Sequence, residues 1–136
     1  MVILFDMYNL PEDIFEIVFS TKQQAIVARQ LFKEFKAHGG ILTKSEMSLF
    51  ATQLHNGEYV AELEEAPYFG KKVKLSYNKR QFYDRILTPM KSMGMIYYDL
   101  YKKTYSLSDN FSKLMQKFAV MWNLELKKPL GSPVKQ

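Results

Sequence analysis

Apolar residues recur at helical spacing in four stretches of the chain, and shorter apolar or alternating stretches between them favour strands. In the first helical stretch, Ala28, Leu31, Phe32 and Phe35 share one face. Ser20 and Thr21, each followed three residues later by glutamine, supply a helix start, and His38-Gly39-Gly40 supplies a stop. In the second, Thr43-Lys44-Ser45-Glu46 has the residue types of a capping box and leads into Met47, Phe50, Ala51 and Leu54, ending at Asn56-Gly57. The third begins at the Asn78 cap and aligns Phe82, Ile86, Met90 and Met93, which predicts a helix over 79–93. Pro89 lies inside it and removes the N–H that would reach Arg85, so the pattern implies a kink, or two short helices with Thr88 capping the second. The fourth follows Ser108-Asp109-Asn110 and carries Phe111, Leu114, Met115, Phe118, Met121 and Trp122 on a broad apolar face.

The strand signals are shorter. Residues 14–19, IFEIVF, form an apolar run after the Pro11-Glu12-Asp13 punctuation that fits a strand or the approach to a helix, the strand being the preferred reading. Residues 71–77 alternate Val73, Leu75 and Tyr77 with Lys72, Lys74 and Ser76, the pattern of a half-buried edge strand with its lysines outward, or of an extended lead-in to the third helix. Met95–Tyr98 and Thr104–Leu107 are rich in strand formers, and Asp99 to Lys103 is short enough to join them as a hairpin with a basic turn. Residues 58–70 fit either a helix with Tyr59, Leu63 and Ala66 on one side or an irregular acidic connection. The tail from 127 to 136 has Pro129, Gly131 and Pro133 without periodicity and reads as disordered.

Length and charge narrow the class. A chain of 136 residues, 47% hydrophobic, fits one compact α+β domain, mainly helical. With no cysteine there is neither a disulfide framework nor a thiolate zinc site, which suits a reducing, cytoplasmic setting. The start, MVILFD, lacks a basic segment and stops too soon for a signal peptide or a membrane span. The net charge of +5 is unevenly spread. Residues 1–70 hold 5 Lys/Arg against 10 Asp/Glu, whereas residues 71–103 hold 9 against 2, so the middle of the chain is a cationic block that calls for an anionic partner.

Enzyme chemistry has no candidate, and no cofactor is implied. There is no HExxH, no phosphate-cradling glycine loop, no GxSxG and no Cys-His pair. His55 with Glu58, Glu62, Glu64 and Glu65 could in principle hold a divalent metal, but an acidic solvated face is the simpler expectation.

The stretch NKRQFYDRILTPMKSMGMIYYDLYKKTYSLSDNF, set in the order helix, helix, insert, helix, hairpin, helix, resembles the winged helix-turn-helix family of archaeal and bacterial transcription regulators. The resemblance covers roughly 20–126, after an N-terminal extension over 1–19. It departs from the family pattern in the 22 residues, 56–77, that separate the second and third helices. It implies a sequence-specific double-stranded DNA-binding protein whose third helix enters the major groove and whose hairpin, the wing, touches the flanking backbone. If Phe82, Ile86, Met90 and Met93 face inward, then Lys79, Arg80, Tyr83, Asp84, Thr88 and Lys91 lie wholly or partly outward. Arg80 and Gln81 are the side chains able to read base edges. Lys79, Arg85, Lys102 and Lys103 suit phosphates, Tyr101 could lie over a sugar, and Tyr83 completes the set. Tyr97, Tyr98 and Tyr105 read as cross-strand packing, since no RNP1-like string accompanies them.

The last helix carries more apolar surface than a small domain covers, and Phe111, Met115, Phe118 and Trp122 fall at near-heptad spacing. They suit a homodimer through a parallel or antiparallel helix pair; otherwise the stripe packs within the chain against Phe32 and Phe35. A protein-interaction module of the same fold, without DNA specificity, is the alternative function.

Overall fold

The computed structural model describes residues 6–63 and 68–130. Its elements run α1 (Ile14–Val18), α2 (Lys22–Ala37), β1 (Ile41–Thr43), α3 (Lys44–His55), β2 (Tyr59–Leu63), β3 (Lys71–Leu75), α4 (Lys79–Phe82), a π-helical turn (Tyr83–Leu87), α5 (Thr88–Ser92), β4 (Ile96–Asp99), β5 (Thr104–Leu107) and α6 (Asn110–Lys127). The class is α+β.

Residues 14–18 form a helical turn where the apolar run suggested a strand. The reason is local and tertiary together. Asp13 caps the turn by accepting from the Phe15 N–H at 2.9 Å, and the same carboxylate takes the Arg29 guanidinium through Nε at 3.2 Å and through Nη2. Phe15 then packs its ring 5.8 Å from Phe32, with Arg29 over its other side. Burial works against ionisation of Asp13, but the Arg29 hydrogen bond, the Phe15 N–H and the Arg29 charge outweigh it and hold the carboxyl below its ordinary value of 3.8. A carboxyl lowered on folding stabilises the protein above its unfolded value and stops doing so as the pH falls through the folded one. Asp13→Asn is therefore expected to cost about 1–2 kcal/mol near neutrality, from a weakened cap and a lost charge-assisted pair. Urea titrations should show that deficit shrinking as the pH is taken below about 4, where wild-type Asp13 also gains a proton.

The helix starts follow the side chains that seed them. Thr21 accepts from Gln24 N, though the Gln24 amide turns to the Ser20 hydroxyl and leaves the box half closed. At α3 the box is complete, with Thr43 Oγ1 accepting from Glu46 N and Glu46 Oε1 accepting from Thr43 N. Ala28, Leu31, Phe35, Met47, Phe50, Ala51 and Leu54 are buried as their spacing requires, and meet Phe82, Ile86, Leu87 and Met90 in one core.

Strand β1 carries no periodic signal of its own, being three residues long. It exists because β5 pairs with it, Leu42 opposite Tyr105, which extends the β4–β5 hairpin to a three-stranded antiparallel sheet in the order β1-β5-β4. Residues 59–63 are neither helix nor irregular connection. They form β2, antiparallel to β3 with Ala61 opposite Val73, and bury Ala61 and Leu63 while Val60 and Glu62 stay outside. Residues 59–75 are thus built around an antiparallel β-ribbon, β2–β3. Lys72 and Lys74 face outward as the alternation predicted, and Lys71, at the start of the strand, is exposed as well. Residues 64–67, part of the acidic segment, lie outside the described residues, as do 1–5 of the N-terminal extension and 131–136 of the tail.

Pro89 leaves the helical segment 79–92 continuous but changes its winding. The Thr88 N–H reaches back five residues to the Tyr83 carbonyl, so the missing proline N–H falls just past a π-turn instead of breaking the segment. Thr88 makes no capping hydrogen bond in this arrangement, contrary to the two-helix alternative.

Candidate nucleic-acid interface

The start of α4 is fastened to the end of α3. Tyr77 N donates to the Leu54 carbonyl at 2.9 Å, Lys79 N donates to His55 Nδ1 at 3.1 Å, and Asn78 Oδ1 caps the helix by accepting from Gln81 N at 3.0 Å. With Phe82, Ile86 and Met90 fully buried, the helical segment turns a fixed face outward. Arg80, Gln81, Asp84, Arg85, Thr88 and Lys91 occupy it. The Arg80 side chain is 91% exposed and its Nε lies 3.8 Å from Asp84, an exposed pair too weakly held to immobilise it.

Two residues of the expected set are less free. Lys79 is half-buried and its ammonium donates to Thr52 Oγ1 at 3.0 Å, so it points back to α3. Tyr83 is half-buried with its ring 5.5 Å from that of Phe82.

The hairpin turn is ordered by its own first residue. Asp99 Oδ1 accepts from Tyr101 N at 2.9 Å and from Lys102 N at 3.1 Å, an Asx-type turn. Lys103 adopts φ +53°, and its carbonyl accepts from Lys44 N at 3.0 Å. Tyr101, Lys102 and Lys103 all stand in solvent, Tyr101 at 98% exposure. Lys44 joins them at the start of α3. Sequence reasoning missed it because only the β1–β5 pairing brings the α3 start beside the turn.

Helix α3 therefore separates the two cationic ends, the hairpin turn at its beginning and Arg80 at its end. Twelve residues at about 1.5 Å each make that spacer roughly 18 Å long, about half of one turn of B-form DNA at ~34 Å. Glu46 is the anionic group at the beginning of α3. Its carboxyl is held low chiefly by the Thr43 N–H, and His38 Nε2 sits 3.2 Å away, which leaves Lys44, Lys102 and Lys103 as exposed cations at this end.

Between helix and hairpin lies an aromatic layer. Tyr98 and Tyr105 stack across the strands at 4.5 Å, and Lys91 Nζ sits 6.0 Å from both rings. Burial, then Tyr83 and Tyr98, push the Tyr105 phenol up. Tyr98 and Tyr105 pack as expected, whereas Tyr97 lies on the outer face, mostly exposed and opposite Ser106. His55, weighed above as a metal ligand, spends Nδ1 on the α4 backbone, and among the described residues no cluster of three or more metal-ligating side chains forms. No helix among them is long and apolar enough to cross a membrane. Comparison with protein-family models, with curated proteins and with solved structures yields no match to this chain.

Proposed function

We propose that this chain is a winged-helix protein that binds double-stranded DNA and regulates transcription. The observation that carries this reading is the pairing of an outward Arg80-Gln81-Arg85 face on a helix rigidly fastened to α3 with a solvent-exposed Tyr101-Lys102-Lys103 turn beside Lys44. The element order supports it, with β1 before α3 as the third strand beside the β4–β5 wing and the β2–β3 ribbon as an insertion before the reading helix. Arg80 and Gln81 offer the donor patterns that guanine and adenine edges accept, while Arg85, Lys102, Lys103 and Lys44 carry the charge that phosphates require.

Titration of random duplex DNA across salt concentrations tests the reading. Four phosphate contacts give a log–log salt slope of about −3.6 at ~0.9 per contact, and Lys103→Ala is expected to flatten it by about 0.9 while weakening all sequences alike. Lys79→Ala should leave the slope nearly unchanged, because that ammonium is engaged by Thr52. After selection of a preferred duplex, Arg80→Ala should lose about 1–3 kcal/mol of discrimination at one base position. Absence of binding at low salt overturns the proposal and leaves a protein-interaction module.

A further inference from the structure

Helix α6 buries none of its residues, and only Phe111 and Leu114 at its root are half covered. The alternative in which its stripe packs on α2 does not hold, since Phe35 is buried in the core and Phe32 packs on Phe15. Phe118 is 53% exposed and Trp122 62% exposed, with Met115 and Met121 beside them. We infer that a second copy of this chain covers this face through an antiparallel α6 pair in which Trp122 of each copy seats against Phe111 of the other. The inference is independent of the DNA-binding reading.

Three observations fix the occupant and its direction. Phe111, Met115, Phe118 and Trp122 are spaced by four, three and four residues, a pattern that reads the same in both directions. Reversing one helix about the midpoint between Met115 and Phe118 brings Phe111 against Trp122 and Met115 against Phe118, so a two-fold partner satisfies all four. Second, Glu125 continues the Phe111–Phe118 row one heptad further on. A parallel pair would set Glu125 against its own copy inside an apolar seam. The antiparallel pair sets it beside the partner's first turn, at the positive end of the helix dipole, where Asp109 makes no side-chain capping hydrogen bond and Lys113 offsets its charge.

Third, a groove of about 250 Å³ opens at the root of α6, lined by Ile14, Phe15, Phe32, Met95, Leu107 and Phe111. An apolar cavity of about 150 Å³ accepts a benzene, so this one has room for an indole arriving over Phe111. Phe118 and Trp122, each more than half exposed, together would remove on the order of 200 Å² per copy from water, given about 150–250 Å² for a whole aromatic side chain.

The chain has no cysteine and a single tryptophan, which makes the test direct. Phe111→Cys protein mixed with Trp122→Cys protein, without DNA, is expected to form a mixed disulfide on mild oxidation, while either variant alone remains reduced. Met115→Cys mixed with Phe118→Cys should behave likewise and guards against a folding defect at Phe111. Trp122 emission should shift to the blue as concentration rises, and Trp122→Ala should raise the dimer Kd by about 30-fold, as expected of a central aromatic anchor. Self-linking of Phe111→Cys and of Trp122→Cys would overturn the inference in favour of a parallel pair. A monomer at tens of micromolar in sedimentation would overturn it altogether.

Discussion

Replacing Phe82 by alanine is expected to lower the unfolding free energy by about 3–5 kcal/mol, a substantial fraction of the about 5–15 kcal/mol a domain usually has. Phe82 is fully buried, and its ring lies 5.5 Å from that of Phe50 on α3 and 5.5 Å from that of Tyr83. It also ends α4, one turn after Asn78, and so joins the core to the segment that carries Arg80 and Gln81. Few side chains are near enough to fill the space it would leave, because the facing positions are themselves large and fully packed. Urea unfolding would show this as a fall in midpoint with the slope against denaturant unchanged. Phe82→Leu, which keeps much of the volume, should lose less than half as much stability and still present the same outer face. If Phe82→Ala cost less than about 1 kcal/mol, the packing of α4 on α3 would be wrong, and the fixed direction of Arg80 with it.

The second large effect is expected at Gly94, where alanine should cost about 2–4 kcal/mol, combining a left-handed backbone with overpacking. The φ of Gly94 is +84°, and a Cβ placed there would lie 2.9 Å from Asn110 Cβ and 3.0 Å from the Phe111 nitrogen. The Gly94 carbonyl accepts that same Phe111 N–H at 3.0 Å. A glycine at the end of α5 is thus what lets the first turn of α6 sit directly on the hairpin's entry. Thermal unfolding of Gly94→Ala, alone and combined with Asn110→Gly, would isolate the side-chain contact. The combined variant should recover the part owed to the Asn110 Cβ and leave the part owed to φ and to the close backbone of Asn110 and Phe111. Because this junction aims α6, Gly94→Ala should also weaken self-association of the chain more than its loss of stability alone would.

These two residues show how differently the sequence and the tertiary structure inform. Phe82 was legible as a core residue from its place in a periodic row, and the hairpin that follows Gly94 was legible from strand formers flanking a short basic turn. The close approach of α6 to Gly94 was not, since nothing in the spacing of one segment states what another lays on it. The partner of Lys79 was hidden for the same reason. Lys79 faces partly outward on the helix, yet Thr52, 27 residues earlier, holds its ammonium. Arg80, Asp84, Thr88 and Lys91 stand outward where the periodicity put them, because exposed positions need no partner to be specified.

The sequence by itself determined the four long helical segments, their caps, the β4–β5 hairpin and the cationic block, because periodicity, capping and turn chemistry act within a few residues of each other. Only the tertiary structure decided that 14–18 is helical, that 41–43 and 59–63 are strands, that Pro89 is absorbed by a π-turn, and that α6 leaves its apolar face open. In each of those cases the short segment has no strong preference of its own. Partners distant in sequence (Arg29 for α1, β5 for β1, β3 for β2) supply the hydrogen bonds and buried area that choose its conformation.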